Sequence, residues 1–409
     1  MRNVMSWINS CKSSFYVISI TAVLYILTCF FFGYLIDLQS ENEPSSSLDS
    51  NLIRATYPNY RDEEYQFALK IFEEYDASKS EYKSFIGYRR QEFKGEAVNI
   101  DQFGFRRSLN HNLNDSIWFL GGSSMWGTGS DDARTIPSYF SKLTGENVLN
   151  LGESGFNSFQ ELLQLQILMS QGYYPKEVVF YDGVNDGYYF CNNDSEERLR
   201  HPYTSRWSNL QKDLRGEKEE PEIKSIVNTQ AFRQKIVSFL LRPLRYFQSR
   251  ELAQENRAKQ VSITPLSSFK PEKYYLSCDD PKNASEAARI TLSSWRFAAL
   301  ILKKYDIPVW FVLQPTATYN PERYSLDYII DYQKQAIVNE QASYKGYYTA
   351  LKKDFYSSCE MYDDCSQFID FSQLFDELNE PLFIDTCHVS PKGNEIVTTV
   401  LQAYLRGEQ

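Results

Sequence analysis

Residues 117–129, IWFLGGSSMWGTG, place a serine directly after an apolar run that has the composition of a buried strand. Two later segments of strand character also end in small or polar residues, with Gly155 in NLGESG and Asn185 in GVND. The carboxyl ends of neighbouring parallel strands share one edge of a sheet, so a serine hydroxyl, a glycine N–H and an asparagine amide would converge there. Ser123 would then be a nucleophile beside donors for an oxyanion.

A serine reacts only when a base removes its proton, and the segment FIDTCHVSPKG near the carboxyl end supplies one. Asp385 and His388 are three residues apart, which lets the carboxylate hold one imidazole tautomer while the other ring nitrogen faces Ser123. Taken singly, Ser123 is explained as a helix N-cap, Gly155 and Asn185 as turn residues, and the histidine as a loop residue. The conjunction of all five favours catalysis.

Strand and helix character alternate along the chain at the intervals of βαβ units. We predict strands within residues 115–124, 146–155, 177–186, 307–316, 366–375 and 381–385, and helices within residues 135–145, 158–172, 293–306 and 391–407. This pattern predicts a three-layer α/β/α sandwich with a mostly parallel central sheet, in which ligands bind at the carboxyl ends of the strands. Residues 191–282 break the alternation with charged, turn-rich sequence and an amphipathic helix, and we interpret them as an inserted helical segment over the site.

The ordered residues resemble the four sequence blocks of the SGNH/GDSL hydrolase superfamily, over about residues 98–406. The matching positions are Gly121-x-Ser123-x-x-x-Gly127, Gly155, Gly183-x-Asn185-Asp186 and Asp385-x-x-His388. The resemblance implies that Ser123 is the nucleophile and, through its backbone N–H, the first oxyanion donor. It implies that Gly155 is the second donor and Asn185 the third, with Asp385 and His388 as triad partners. The usual Gly-Asp-Ser is Gly-Gly-Ser here, so Gly122 removes a supporting carboxylate.

The lead-in VNIDQFGFRR resembles bacterial membrane-anchored members, which include both esterases and O-acyltransferases of exported polysaccharide. We therefore predict a serine esterase for O-acyl, in particular acetyl, groups of an extracytoplasmic glycan. A polysaccharide O-acetyltransferase and a lipase-like esterase are alternatives, and a non-catalytic envelope-assembly protein that retains the fold is an alternative of another class. Trp126, Phe156 and Gln314 are candidates for the substrate pocket, although core packing would equally explain the two aromatic residues.

The amino-terminal region has the features of a membrane anchor. Residues 13–36 contain no charged side chain and, as a helix, are long enough to cross about 30 Å of hydrocarbon. Arg2 and Lys12 precede this segment and acidic residues follow it, which predicts a cytoplasmic tail at residues 1–12 and an extracytoplasmic remainder, either periplasmic or at the cell surface. A buried core helix and a cleaved signal peptide are the alternatives. Residues 37–97 are predicted to be a linker, polar from about Gln39 to Asn51, and a helical extension before the domain at residues 98–409.

Composition excludes some partners and cofactors. The net charge of −10 argues against a nucleic-acid partner, because no basic face is available for phosphates. Three histidines and the absence of a C-x-x-C pair argue against a metal site, and we expect no cofactor. In an oxidising compartment, Cys359 and Cys365 are close enough to form a disulfide, and Cys191 with Cys278 is a weaker pairing hypothesis. Cys387 is interpreted as a small buried residue.

Overall fold

The computed structural model describes residues 46–192 and 277–407. In these ranges the helices are α1 (Ser46–Arg54), α2 (Tyr65–Ala77), α3 (Ser123–Trp126), α4 (Ile136–Thr144), α5 (Ser158–Ser170), α6 (Val184–Asn192), α7 (Pro281–Lys303), α8 (Asp331–Tyr362) and α9 (Pro391–Arg406). The strands are β1 (Ser80–Lys83), β2 (Gly87–Arg90), β3 (Phe93–Lys94), β4 (Asn99–Ile100), β5 (Ile117–Gly121), β6 (Val148–Asn150), β7 (Glu177–Asp182), β8 (Val309–Leu313) and β9 (Phe368–Asp370).

Five of these strands form a parallel sheet in the order β6-β5-β7-β8-β9. Gly121 at the end of β5 is paired with Tyr181, and Asp182 at the end of β7 is paired with Leu313. The strand order reverses between β5 and β7, which is the position where ligands bind in open parallel sheets. The predicted α/β class with a parallel sheet is confirmed, and the segments after β5 and β7 begin side by side.

Both faces of the sheet are buried because its strands are apolar at successive positions, not alternating ones. In β5, Trp118 and Leu120 belong to one core cluster, whereas Ile117 and Phe119 belong to another. The first cluster contains Leu165 of α5, Trp295 of α7 and Leu351 of α8, and the second contains Phe140 of α4 and Leu401 of α9. The sheet therefore lies between two helical layers.

Capping residues account for the helix starts that the sequence predicted. The side chains of Thr135, Asn157 and Ser390 each accept a hydrogen bond from the backbone N–H three residues further on, at the starts of α4, α5 and α9. Gly145 ends α4 with a positive φ of 74°, which a glycine adopts without steric cost.

The structure differs from the prediction in one strand that is absent and one helix that was not expected. Residues 381–385, PLFID, form no strand; Phe383 makes only an isolated antiparallel bridge with Val389, because the chain reverses direction at residues 385–388. The 32-residue helix α8 was not predicted, since it contains Gly346 and no long apolar run. A Cβ on Gly346 would lie 1.8 Å from the Cys278 carbonyl oxygen, so this glycine lets α8 approach the chain closely.

The region before residue 98 is more structured than a linker with helices. It contains α1 and α2, the antiparallel pair β1–β2, and strand β3, which pairs with β4. Helix α1 starts at Ser46, inside the segment predicted as a polar linker to about Asn51. The predicted anchor at residues 13–36 and most of the insertion, residues 193–276, lie outside the described residues. Among the helices that are described, none is long and apolar enough to span a membrane.

Both disulfide hypotheses are confirmed. Cys191 is bonded to Cys278, which joins the two described ends of the insertion across 87 residues of sequence. Cys359 is bonded to Cys365 and closes a short loop between α8 and β9.

Candidate active site

The serine after β5 lies on a turn that is tightly held by its neighbours. Ser123 begins the one-turn helix α3, and Gly127 ends it with a φ of 97°. The Asn150 amide at the end of β6 donates to the carbonyl oxygens of Met125 (3.0 Å) and Trp126 (3.3 Å), which caps this helix. Ser123 itself is partly exposed, so its hydroxyl is accessible from solvent.

Ser123, His388 and Asp385 form a continuous chain of hydrogen bonds. The Ser123 Oγ lies 2.6 Å from His388 Nε2, and His388 Nδ1 lies 2.7 Å from Asp385 Oδ2. A carboxylate only accepts hydrogen bonds, so in the neutral imidazole the proton sits on Nδ1 and Nε2 accepts from the serine. Asp385 Oδ1 also accepts the backbone N–H groups of Cys387 (3.0 Å) and His388 (2.8 Å). These contacts orient the imidazole as a base for Ser123.

The loop that carries Asp385 and His388 is fixed from two sides. After β8, the Ala317 N–H (3.0 Å) and the Thr316 hydroxyl (2.8 Å) both donate to the Thr386 carbonyl oxygen. From the amino-terminal region, the Asn59 amide donates to the Phe383 carbonyl oxygen at 3.2 Å. Residues before the predicted domain boundary thus help to position the triad.

The charges of this loop stabilise an ionised carboxylate next to the imidazole. Burial by itself would raise the pKa of Asp385, but the charge and hydrogen bond of His388, with the charge of Arg54 in α1, hold it below its usual range. Burial by itself would lower the pKa of His388, but the Asp385 carboxylate raises it well above the usual value. His388 therefore loses its proton only above the ordinary titration range of histidine, and its neutral form is the base.

The candidate oxyanion donors lie around Phe156. The Asn185 Nδ2 at the start of α6 donates to the Phe156 carbonyl oxygen at 2.7 Å. Gly155 directly precedes Phe156 and has a φ of 80°, a conformation that favours glycine. A Cβ placed on Gly122 would lie 2.2 Å from Asn185 Nδ2, so this amide lies against the backbone just before Ser123. The structure thus brings Asn185 to the nucleophile turn and to the residue after Gly155.

The three substrate-pocket candidates occupy buried positions. Trp126 is 1% exposed, and its ring lies between the guanidinium groups of Arg90 (4.5 Å to the centroid) and Arg106 (4.2 Å). Phe156 is 0% exposed and packs edge-to-face on Tyr88. Both rings therefore have the core-packing role that was the alternative interpretation, and neither offers an exposed face to a substrate here.

Gln314 lies nearer the reacting groups. Its Nε2 donates to the hydroxyl of Ser124, the residue after the candidate nucleophile, at 3.2 Å, and its carbonyl oxygen accepts from the Tyr348 hydroxyl at 2.9 Å. It contacts the nucleophile turn, and its contact with substrate stays a prediction.

One cluster of metal-ligating side chains occurs among the described residues. Asp385, Cys387 and His388 each offer one ligand atom, and these atoms lie within 4.8 Å of one another. Two of the three residues already use those atoms in the hydrogen-bond chain to Ser123. Cys387 is partly exposed and not fully buried, and its Sγ lies 3.8 Å from His388 Nδ1.

Three buried carboxyl groups lie beneath the helix that carries Asn185. Asp186 accepts hydrogen bonds from the Ser158 N–H (3.3 Å) and the Thr291 hydroxyl (3.1 Å), which ties α6 to α5 and α7. Asp182 accepts from the Trp295 ring N–H at 2.7 Å, and the buried Glu161 carboxyl group interacts electrostatically with Asp182. Burial raises the pKa of all three carboxyl groups, and repulsion by neighbouring carboxylates adds to the shift of Glu161 and of Asp182, whose pKa is raised to about 8.

This cluster makes the fold sensitive to alkaline pH. A carboxyl group whose pKa is higher in the folded state stabilises that state while protonated, and this stability is lost as pH rises from the ordinary carboxyl range through about 8. We expect the melting temperature of the wild type to fall between pH 5 and pH 9. The glutamine in Glu161→Gln carries no charge at any pH. In this variant the fall in melting temperature between pH 5 and pH 9 should be smaller by several degrees. Thermal unfolding across that range measures it, with Glu360→Gln on α8 as the exposed control. Equal slopes in the wild type and Glu161→Gln would contradict the prediction.

Sequence reasoning missed the residues that support the site. Asn150 begins the segment NLGESG, and a short polar side chain at the end of a buried strand is a usable signal. Arg54 and Asn59 gave no signal, because their partners are more than 320 residues away in the sequence and their segment resembled a linker.

Comparisons with known proteins do not identify this chain. No protein-family model matches it, and no curated protein does. Among solved structures, a GDSL-like lipase from Bacteroides thetaiotaomicron VPI-5482 is 14% identical, with a TM-score of 0.34 over 72% of this chain and 89% of that one. An alpha/beta hydrolase enzyme from the metagenome of Lake Arreo, Spain, is 11% identical, with a TM-score of 0.32 over 73% of this chain and 97% of that one. Similarity at this level assigns no activity to the chain.

Proposed function

We propose that this chain is a serine esterase that removes acyl groups, in particular acetyl groups, from the hydroxyls of an extracytoplasmic glycan. The observation that carries the proposal is the hydrogen-bond chain from Asp385 through His388 to the partly exposed Ser123. The site supports nucleophilic attack on a carbonyl carbon because it combines an oriented base with a neutral amide donor at Asn185.

The reaction proceeds through an acyl-enzyme. Ser123 Oγ attacks the ester carbonyl carbon while its proton moves to His388 Nε2, and the carbonyl oxygen becomes an oxyanion. The C–O bond to the sugar then breaks, and the sugar oxygen takes the proton from His388. Water next gives a proton to His388 and attacks the acyl carbon. The acid leaves, and Ser123 recovers its proton.

The burial of Trp126 and Phe156 favours a short acyl group. A groove for a long acyl chain requires exposed apolar walls beside the nucleophile, and these two rings, the nearest aromatic candidates in sequence, are used in packing against arginines and Tyr88. The glycan part of the proposal rests on the sequence. The proposal also includes attachment to the membrane through residues 13–36, with the domain outside the cytoplasm.

A fluorophosphonate probe tests the reaction class on the full chain. We expect the probe to modify Ser123 alone, as read by peptide mass spectrometry, and His388→Ala to prevent labelling, because the probe reacts only with an activated serine. A chain that stays unlabelled would support the non-catalytic envelope-assembly alternative.

Acetylated envelope polysaccharide then tests the substrate class. We expect the unmodified wild-type enzyme to release acetate from the glycan, and Ser123→Ala to release none. Transfer of acetyl from an aryl acetate to deacetylated glycan would instead identify a transferase. Cleavage of long-chain esters without any acetate release would replace the glycan proposal with a lipase-like role.

A further inference from the structure

The glycine before the nucleophile lies where an added side chain would displace the Asn185 amide. A Cβ on Gly122 would lie 2.2 Å from Asn185 Nδ2 and 3.3 Å from the Phe156 carbonyl oxygen. Non-bonded carbon and nitrogen atoms pack at about 3.5–4.0 Å, so the shorter separation forces the amide to move. The Asn185 side chain therefore takes the space that any residue other than glycine would fill.

The backbone at this position does not itself require glycine. Gly122 has φ −77° and ψ −152°, an extended conformation whose negative φ lies outside the left-handed region that favours glycine. The glycine is explained by the space beside it, and the atom nearest to that space belongs to Asn185.

The amide that fills this space is held in a defined orientation. One of its two N–H groups donates to the Phe156 carbonyl oxygen at 2.7 Å. The second is not used by any residue in the described part of the chain, and in the proposed mechanism it donates to the oxyanion formed on attack by Ser123. The hydrogen bond also connects Asn185 to Phe156, the residue after Gly155, which is the other candidate donor.

We propose that Gly122 is a positioning residue, which sets the rate of the reaction by leaving room for the Asn185 amide beside Ser123. This inference rests on the proposed function. It also bears on the departure from the Gly-Asp-Ser pattern, because the Asn185 amide of this chain lies where the Cβ of any other residue at position 122 would be.

A double-mutant cycle on the full chain tests this proposal with an aryl acetate. Gly122→Ala is expected to lower kcat by about 10²–10³, as does Asn185→Ala, with KM little changed, because both remove one transition-state donor. The double variant should be no slower than Asn185→Ala alone, since the added methyl then has no amide to displace. Gly122→Asp, which recreates the common pattern, should lose at least as much activity as Gly122→Ala. As the matched control, Gly187→Ala adds a methyl on the same helix beside Tyr347 and should change kcat by less than about threefold.

Each outcome either supports the inference or overturns it. Wild-type kcat in Gly122→Ala or in Asn185→Ala overturns it. A double variant whose loss of kcat is the product of the two single losses also overturns it. If Gly122→Ala unfolds, Asn185→Ala should restore its melting temperature, and failure to do so also overturns it. Ser123→Ala, measured in parallel, distinguishes failure of the two proposals. Activity in Ser123→Ala rejects the esterase. If Ser123→Ala is inactive and Gly122→Ala is fully active, only the role of Gly122 is rejected.

Discussion

Ser123→Ala is expected to lower kcat for an aryl acetate by about 10⁶, and His388→Ala by a similar factor. The reason is the 2.6 Å hydrogen bond between Ser123 Oγ and His388 Nε2, which makes the two residues one functional unit. The double variant should therefore be no slower than either single variant. Initial rates with the full chain, corrected for spontaneous hydrolysis of the ester, measure all three.

Ser124→Ala is the matched control for this experiment. Its hydroxyl accepts a hydrogen bond from Gln314 and makes none with His388, so we expect it to retain more than a tenth of kcat. All variants should melt close to the wild-type temperature, which separates loss of chemistry from loss of fold. Full activity in Ser123→Ala would end the proposed mechanism.

Asp385→Asn is expected to lower kcat by about 10⁴. An asparagine can donate an N–H to His388 Nδ1, which places the imidazole proton on Nε2, where it blocks acceptance from Ser123. The loss should be smaller than that of Ser123→Ala because the nucleophile and the oxyanion donors remain.

The pH dependence of the same variant gives an independent readout. The Asp385 carboxylate raises the pKa of His388, so wild-type kcat/KM should rise with pH to a midpoint above the ordinary histidine value of about 6.5. In Asp385→Asn the charge is gone while burial still lowers the pKa of His388, so the midpoint should move to lower pH. The control is Asp363→Asn, whose exposed side chain contacts Lys303 and whose φ of 56° suits asparagine. An unchanged midpoint in Asp385→Asn would assign the titration to another group.

Much of the site could be predicted from the sequence because its signals are local. Apolar runs that end in small residues predicted β5, β6 and β7, and the alternation of strand and helix character predicted α4, α5 and α9. The spacing of Asp385 and His388 is short enough that one turn of chain brings their side chains together, as observed at 2.7 Å. The sequence alone was therefore sufficient to identify the candidate residues and their order along the chain.

Local signals failed where a short segment suits several structures. The apolar run 381–385 has the composition of a strand, yet only Phe383 makes a bridge, because the chain reverses direction at residues 385–388. Trp126 follows the nucleophile by three residues, but its ring is buried in contact with the guanidinium groups of Arg90 and Arg106. Periodicity does not distinguish a pocket wall from a packed ring.

The tertiary structure alone decided which distant residues meet. Ser123 and His388 are 265 residues apart, and their contact depends on the strand order β6-β5-β7-β8-β9, in which β5 and β9 are not neighbours. The tertiary structure likewise brings the Asn59 amide to the Phe383 carbonyl oxygen and the Asn185 amide to the space beside Gly122. Such contacts are set by how the layers pack around the sheet, and packing depends on the shape of every facing side chain together, which no single stretch of sequence carries.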